Sequence, residues 1–519
     1  MIPRAKASTS VESGFWNIEP EYLEAFDVMV DLLIKTNRNE EAIETLDKLK
    51  TINDPALYRN PMVKSSLLNE AELTQYQRLT NELDALRRQQ LVASDERKPI
   101  IKRRIDRLNI QKQALDQKIS KLTTNQSVSL NDIQHRLSGS EVVLHITELN
   151  DWYYIGKVTK RSTEINKVRL DSTNRSLFKD AITNLSNGNT NLNQLYKISN
   201  LLELGELPKW ITTITIVPDS YLFELPIDIL PLERPAEEYS YGEATYFVER
   251  FNTHYVTSIN DFIADTKSNA DYAFGFAGYG LSTFDDNKNK NLVPLPFAKS
   301  EVNNIAANLS SLKNRKAFID EESSESAFKA SAPHARILHL ATHSEISEQD
   351  PLYSTLYMSS KSDSSDTDFP GQIFAYELFE LNLNNEMIML NSCESGSGSY
   401  LQGTGIMGIS RALRYAGAKS LVLNLWSVND MMASEFAIKF YDYLNQGKSK
   451  TEALQLTKVH FIKEKNANPH FWGPYMLIGD KSPIIEPYEK ANFYFAASFM
   501  LYFVLFVAFS LFKRQSQLK

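Results

Sequence analysis

Two stretches of this chain carry side chains fit for acyl-transfer chemistry. The apolar run Ile337-Leu338-His339-Leu340-Ala341 leads into Thr342-His343-Ser344, and Met387-Ile388-Met389-Leu390-Asn391 leads into Ser392-Cys393-Glu394-Ser395-Gly396. An imidazole can take up a thiol proton, and the thiolate left behind is a strong nucleophile toward carbonyl carbon. The two residues are 393 − 343 = 50 positions apart, and each follows an apolar run with strand character. Ser395, Gly396, Ser397 and Gly398 leave room for a peptide backbone near the thiol and let main-chain N–H groups turn inward. Taken singly, Cys393 reads as a small buried apolar residue and His343 as a core histidine bonded to a carbonyl. Taken together at two strand ends, they read as a catalytic pair. Cys393 is the chain's single cysteine, which excludes an intramolecular disulfide and any multi-cysteine metal site. His339 and His343 have no third metal ligand close in sequence, so no metal is expected. Gly403-Thr404-Gly405-Ile406-Met407-Gly408 imitates a dinucleotide fingerprint. It begins twelve positions past Asn391, with Cys393 in between, whereas such a turn should follow its strand at once, so no cofactor is expected.

These residues need a scaffold, and the pattern around them supplies one. Strand-like segments at 141–147, 152–159, 213–217, 272–278, 337–341, 355–359, 387–391, 420–426 and 475–479 alternate with helical segments at 300–312, 405–416, 430–445 and 450–463. Continuous apolar strands between helices imply an α/β fold with a mostly parallel sheet covered on both faces. Such a sheet gathers its functional residues beyond the carboxyl ends of its strands. An all-α region precedes it. Residues 19–50 read as two amphipathic helices around Thr36-Asn37-Arg38-Asn39, similar in layout to a tetratricopeptide pair with Ala42 as the small residue. Within 66–122, Tyr76, Leu79, Leu83 and Leu86 face Ile101, Ile105, Leu108, Leu115, Ile119 and Leu122 across an antiparallel coiled-coil hairpin.

The uncharged segment 493–512 is about 30 Å long as a helix, which matches a bilayer's hydrocarbon core, and Lys513-Arg514 follows it. The expected organisation is therefore a tetratricopeptide-like pair (1–65), a coiled-coil hairpin (66–125), a catalytic region (126–485, in parts 126–265 and 266–485), a transmembrane helix (491–512) and a basic tail (513–519). A single-pass membrane protein is implied. The lack of an apolar leader favours the cytoplasmic side for its body, although lysines flank the span on both sides. The net charge is 56 − 64 = −8 with no basic block, which leaves no electrostatic footprint for nucleic acid.

His339-Leu340-Ala341-Thr342-His343 and Leu390-Asn391-Ser392-Cys393-Glu394-Ser395-Gly396 closely resemble the two catalytic motifs of CHAT domains, caspase-like cysteine peptidases related to separase. The 50-residue separation matches the spacing of caspase-type enzymes. Further landmarks follow in the family's order: Val217-Pro218-Asp219, Leu225-Pro226, Leu295-Pro296-Phe297-Ala298, Gly408-Ile409-Ser410-Arg411-Ala412, Leu425-Trp426-Ser427-Val428-Asn429-Asp430, His470-Phe471-Trp472-Gly473-Pro474 and Ile478-Gly479-Asp480. The resemblance spans about 130–480. It departs from the family at Ser344, where members commonly carry glycine.

The resemblance implies a cysteine endopeptidase acting on protein or peptide substrates. His343 would be general base and acid, Cys393 the nucleophile, and the backbone N–H groups of Ser344 and Cys393 the oxyanion donors. Asp430, 37 residues past Cys393, is placed like the acidic specificity residue of separase-like relatives and would favour a basic P1 side chain. The alternative for Asp430 is an N-cap for helix 430–445. Asp219 and Glu394 are other acids near the motifs. The implied partners are the substrate, a regulatory protein on the N-terminal helices, and the membrane. The rival reading is a catalytically silent scaffold that recruits partners.

Overall fold

Eleven strands form one sheet: β1 Glu141–Leu149, β2 Trp152–Thr159, β3 Thr163–Arg169, β4 Thr213–Val217, β5 Asn252–Tyr255, β6 Phe274–Gly280, β7 Arg315–Ile319, β8 Ala335–Ala341, β9 Met387–Leu390, β10 Ser420–Asn424 and β11 Tyr475–Gly479. Their order is β3-β2-β1-β4-β5-β11-β10-β9-β8-β6-β7. The pairs β1/β2, β2/β3 and β10/β11 are antiparallel and the others parallel. β9 and β10 are buried at every position, as strands covered on both faces must be. The computed structural model describes residues 20–52, 68–123, 129–262, 271–284, 292–347, 350–361, 369–392, 400–401, 405–406 and 408–485.

Before the sheet, α1 (Pro20–Lys35) and α2 (Asn39–Ile52) turn at Asn37, whose φ of 59° is the left-handed conformation that asparagine tolerates. Phe26, Val30 and Leu33 pack on Ala42, Leu46 and Leu49, and the pair is seated on Leu149 and Tyr154 of the sheet. Buried polar bonds reinforce that seat. Lys50 Nζ donates to the carbonyls of Ile146 (2.8 Å) and Pro218, and lies 3.7 Å from the Asp219 carboxylate. Asp47 accepts from His145 Nε2 at 3.1 Å and from the Ile259 N–H at 2.9 Å.

Next, α3 (Glu70–Val92) and α4 (Lys98–Thr123) pair through Leu79, Leu83, Leu86, Ile105 and Leu108. Asn69 and Glu72 close a capping box at the start of α3. This hairpin rests on the sheet region through charge. Arg88 bridges Glu377 (2.6 Å) and Glu325 (3.5 Å), Lys112 meets Glu380 at 3.2 Å, and the Arg87 guanidinium lies 5.4 Å from the Tyr376 ring centre. The helices covering the sheet or its edges include α5 (Ala298–Asn308), α6 (Ile409–Ala416), α7 (Asp430–Asn445) and α8 (Lys450–His460).

Several expectations need correcting. No helix among the described residues is long and apolar enough to cross a membrane, so the single-pass membrane assignment is withdrawn; the 493–512 segment that prompted it lies outside the described residues. The expected 405–416 helix begins only at Ile409. Gly408 holds a φ of 144°, which a continuous helix does not accommodate, and Gly405–Ile406 pairs as a short strand. The expected 355–359 strand shortens to Thr355–Tyr357 and joins a separate three-stranded sheet with Ser344–Glu345 and Gln372–Phe374. β3, β5 and β7 have no counterpart in the sequence reading. β7 opens with the exposed Arg315 and Lys316, which suit a sheet edge and break the apolar pattern.

Two predictions follow from the helical contacts. Lys50→Met leaves Asp219 buried without its ion-pair partner and costs about 3 kcal/mol of stability by chemical denaturation. The second concerns Asp84, 3.3 Å from Arg87 on the docked side of α3. Burial pushes its carboxyl up to about 7, with Glu380 and Glu377 adding to the rise while Arg87 and Lys112 oppose it. A carboxyl raised on folding stabilises the protein below its unfolded pKa of about 4, and that contribution fades as pH climbs through the folded value. Urea midpoints for the wild type should therefore fall between about pH 4 and 7, and Asp84→Asn should flatten that part of the profile.

Candidate active site

Strand register aligns the two apolar runs that precede His343 and Cys393 in the sequence. Ile337 pairs with Met387 and Leu340 with Leu390, an offset of 50 residues, the same as 393 − 343. His343 stands three residues past the paired Leu340, and Cys393 follows Leu390 by the same three positions in the sequence. The Asn391 N–H donates to the Leu340 carbonyl at 2.9 Å and carries the pairing one residue further. Cys393 and Glu394 lie outside the described residues. The structure describes the chain up to Ser392.

His343 is half-buried, at the mouth of the sheet rather than in its core. Its Nε2 lies 2.6 Å from the Val293 carbonyl oxygen. A carbonyl only accepts, so Nε2 carries the proton and Nδ1 keeps its lone pair. The Phe284 ring lies 4.6 Å from the imidazole at a 47° tilt and limits its rotation. The Tyr357 N–H donates to the His343 carbonyl at 3.0 Å, and the Ser344–Leu356 pair is the next step of that antiparallel ladder. This alternation turns the Ser344 N–H away from strand 355–357. The Ser344 and Ser392 hydroxyl oxygens are 3.0 Å apart, which joins the residue after His343 to the residue before Cys393.

Below these segments lies a buried polar chain. Glu301 of α5 accepts at Oε1 from His339 Nε2 (2.8 Å) and from Asn391 Nδ2 (2.7 Å). Asn424 Nδ2 donates to Asn391 Oδ1 at 3.2 Å, and the Tyr441 hydroxyl faces His339 Nδ1 at 3.4 Å. The rings of His339 and His343 thus serve separate partners. No group of three histidine, cysteine, aspartate or glutamate side chains suited to a metal occurs among the described residues.

A small solvent-open cleft adjoins these residues, with Leu295, Thr342, Asn391, Ser392, Val428 and Asp430 in its wall. The cap of α7 is Asn429, which accepts from the Met431 N–H at 3.0 Å, so the N-cap alternative for Asp430 falls away. Asp430 Oδ2 instead accepts from the Phe297 N–H at 2.9 Å. Burial raises the Asp430 carboxyl and Glu301 adds to the rise, while the Phe297 N–H pulls it down. Asp219 is not part of this cleft. It is buried against Lys50 and accepts from the backbone N–H groups of Glu148 (3.1 Å) and Ser220 (2.9 Å).

The structure therefore sets His343, Ser344 and Asp430 around one end of the sheet and adds Val293, Phe284, Glu301 and Asn391, whose roles the sequence reading missed. A nearby signal existed: Leu295-Pro296-Phe297-Ala298 begins two residues after Val293 and ends three before Glu301.

Comparison with known proteins gives three findings. The family model for the CHAT domain matches residues 191–480, more than half of the chain. The human tetratricopeptide repeat protein 28 is 28% identical over 114 residues, which are 22% of this chain and 5% of that protein, so the chain spans a small fraction of that relative. Two crystal structures of the Saccharomyces cerevisiae separase–securin complex superpose with TM-scores of 0.41 and 0.42 at 10% and 11% identity. They cover 86% and 89% of this chain but 38% and 40% of the matched chains.

Proposed function

Since the chain belongs to the CHAT domain family, we propose that it is a caspase-like cysteine endopeptidase working through His343 and Cys393. The observation that supports this reading is the common 50-residue offset: the strand register pairs Leu340 with Leu390, the residues three before His343 and Cys393 in the sequence. In the first step, the Cys393 thiol gives its proton to Nδ1 of His343, the nitrogen left basic by the Val293 contact. The thiolate then adds to the scissile carbonyl carbon. The resulting oxyanion accepts from the Ser344 and Cys393 backbone N–H groups. Collapse of the tetrahedral adduct breaks the C–N bond as the imidazolium returns its proton to the leaving amine. Water, deprotonated by His343, next attacks the thioester and releases the acid, which regenerates the thiol.

Asp430 makes the reading more specific. A half-buried carboxylate with a raised pKa gains from a cationic partner, so the cleft favours arginine or lysine at P1 through a charge-assisted hydrogen bond. One oxygen of Asp430 is held by the Phe297 N–H, which fixes the orientation of the carboxylate. The N-terminal helices are the proposed seat of a regulatory protein, since α3 and α4 reach the sheet region through the Arg88 and Lys112 ion pairs.

A peptide library tests both levels. Wild-type protein should cleave after basic residues, and Cys393→Ala or His343→Ala should lower kcat/KM by about a thousandfold or more. Cleavage unchanged in Cys393→Ala, or none by any form, would sink the peptidase reading and favour the silent scaffold. Asp430→Asn should keep the catalytic machinery and reduce the preference for basic P1 over neutral P1 by about 10- to 100-fold.

A further inference from the structure

We propose that Glu301 is the positioning residue of this site: one oxygen of its carboxylate clamps the carboxyl ends of the two strands that lead toward His343 and Cys393. The inference rests on the peptidase reading above and goes beyond it to a residue that touches neither substrate nor thiol. Glu301 comes from α5, a helix packed on the sheet, and its side chain is 1% exposed. A carboxylate buried that deeply is costly unless its oxygens are bonded, and two bonds meet at Oε1. His339 precedes His343 by four residues on β8, and Asn391 precedes Cys393 by two. The distances are 2.8 Å and 2.7 Å, so both strand ends are referred to one atom.

The donor count is self-consistent. A carboxylate only accepts, so His339 presents Nε2–H to it, and Nδ1 is left to accept from the Tyr441 hydroxyl at 3.4 Å. Asn391 gives its Nδ2–H to Glu301 and receives at Oδ1 from Asn424 at the end of β10, the strand that leads to Asp430. The chain Tyr441–His339–Glu301–Asn391–Asn424 thereby crosses β8, β9 and β10, and each leads to one proposed site residue. A buried hydrogen-bonded network that links three strand ends favours one arrangement of them, and geometry is what a proton transfer between imidazole and thiol requires.

The test uses the rate of Cys393 alkylation by iodoacetamide as a function of pH, together with kcat and KM on the best library peptide. The chain has one cysteine, so every label reports the same thiol. His343→Ala serves as the control and should move the alkylation midpoint up toward that of a free thiol, about 8.5. Glu301→Ala should shift the midpoint in the same direction and lower kcat about tenfold with KM unchanged. Glu301→Gln retains an acceptor oxygen and should stay within about twofold of wild type. Asn391→Ser, which removes one arm of the clamp, should shift the midpoint in the same sense and supplies the answer if Glu301→Ala does not fold. A merely structural Glu301 would lower stability and leave the midpoint where it was.

The positioning role is overturned if folded Glu301→Ala or Asn391→Ser keeps the wild-type profile while His343→Ala does not. It is overturned equally if Glu301→Gln loses as much as Glu301→Ala. If His343→Ala itself leaves the profile unchanged, the dyad reading fails and this inference falls with it, so the two failures are told apart.

Discussion

Parallel pairing of β8 with β9 in one register is the constraint on which the site depends. In a parallel ladder both chains run the same way, so equal counts of residues past a paired position end at equal heights. A slip of one residue would invert which side chains face the core on either strand, and the fully buried β9 leaves no tolerance for that. Hydrophobic burial thus fixes the relative height of the ends of β8 and β9, up to Thr342 and Ser392, before any polar contact is made. The hydroxyl contact between Ser344 and Ser392, the carbonyl bond to His343 and the buried Glu301 refine a geometry that the register has already chosen.

The parts legible in the sequence share a physical cause. β9, β10 and β11 are continuous apolar runs, and α7 begins where sequence patterning put it, because burial on both faces of a sheet leaves a strong local signal. His343 and Asp430 stand out in the sequence because they sit just past such runs. Val293 takes part through its carbonyl, which any residue type would supply, so no side-chain pattern could mark it. Glu301 was hidden for another reason. It occupies a helix among Lys299, Asn303 and Asn304, where an acid reads as solvated surface, and only the packing of α5 turns it inward. Asp430 shows the converse: its position suited a helix cap, but the neighbouring Asn429 takes that role and leaves the acid to face the cleft.

The helical region is joined to the site by a short run of contacts. Arg88 of α3 holds Glu377, which follows strand Gln372–Phe374. That strand pairs with Thr355–Tyr357, which in turn pairs with Ser344–Glu345 directly after His343. Charged and half-buried at its outer end and backbone-bonded at its inner end, this run gives a partner seated on the hairpin a physical connection to the segment proposed to bind the oxyanion.

β11 adds a different consequence, for how the molecule is made. It lies between β5 and β10, where Ile478 is opposite Tyr255, yet it is the last strand of the sheet in chain order. During synthesis β5 and β10 each keep an unsatisfied edge until residue 479 has left the ribosome. Those edges are hydrogen-bonding templates for other chains. The large sheet therefore closes late, through contacts distant in sequence, and two open strand edges await β11 until then.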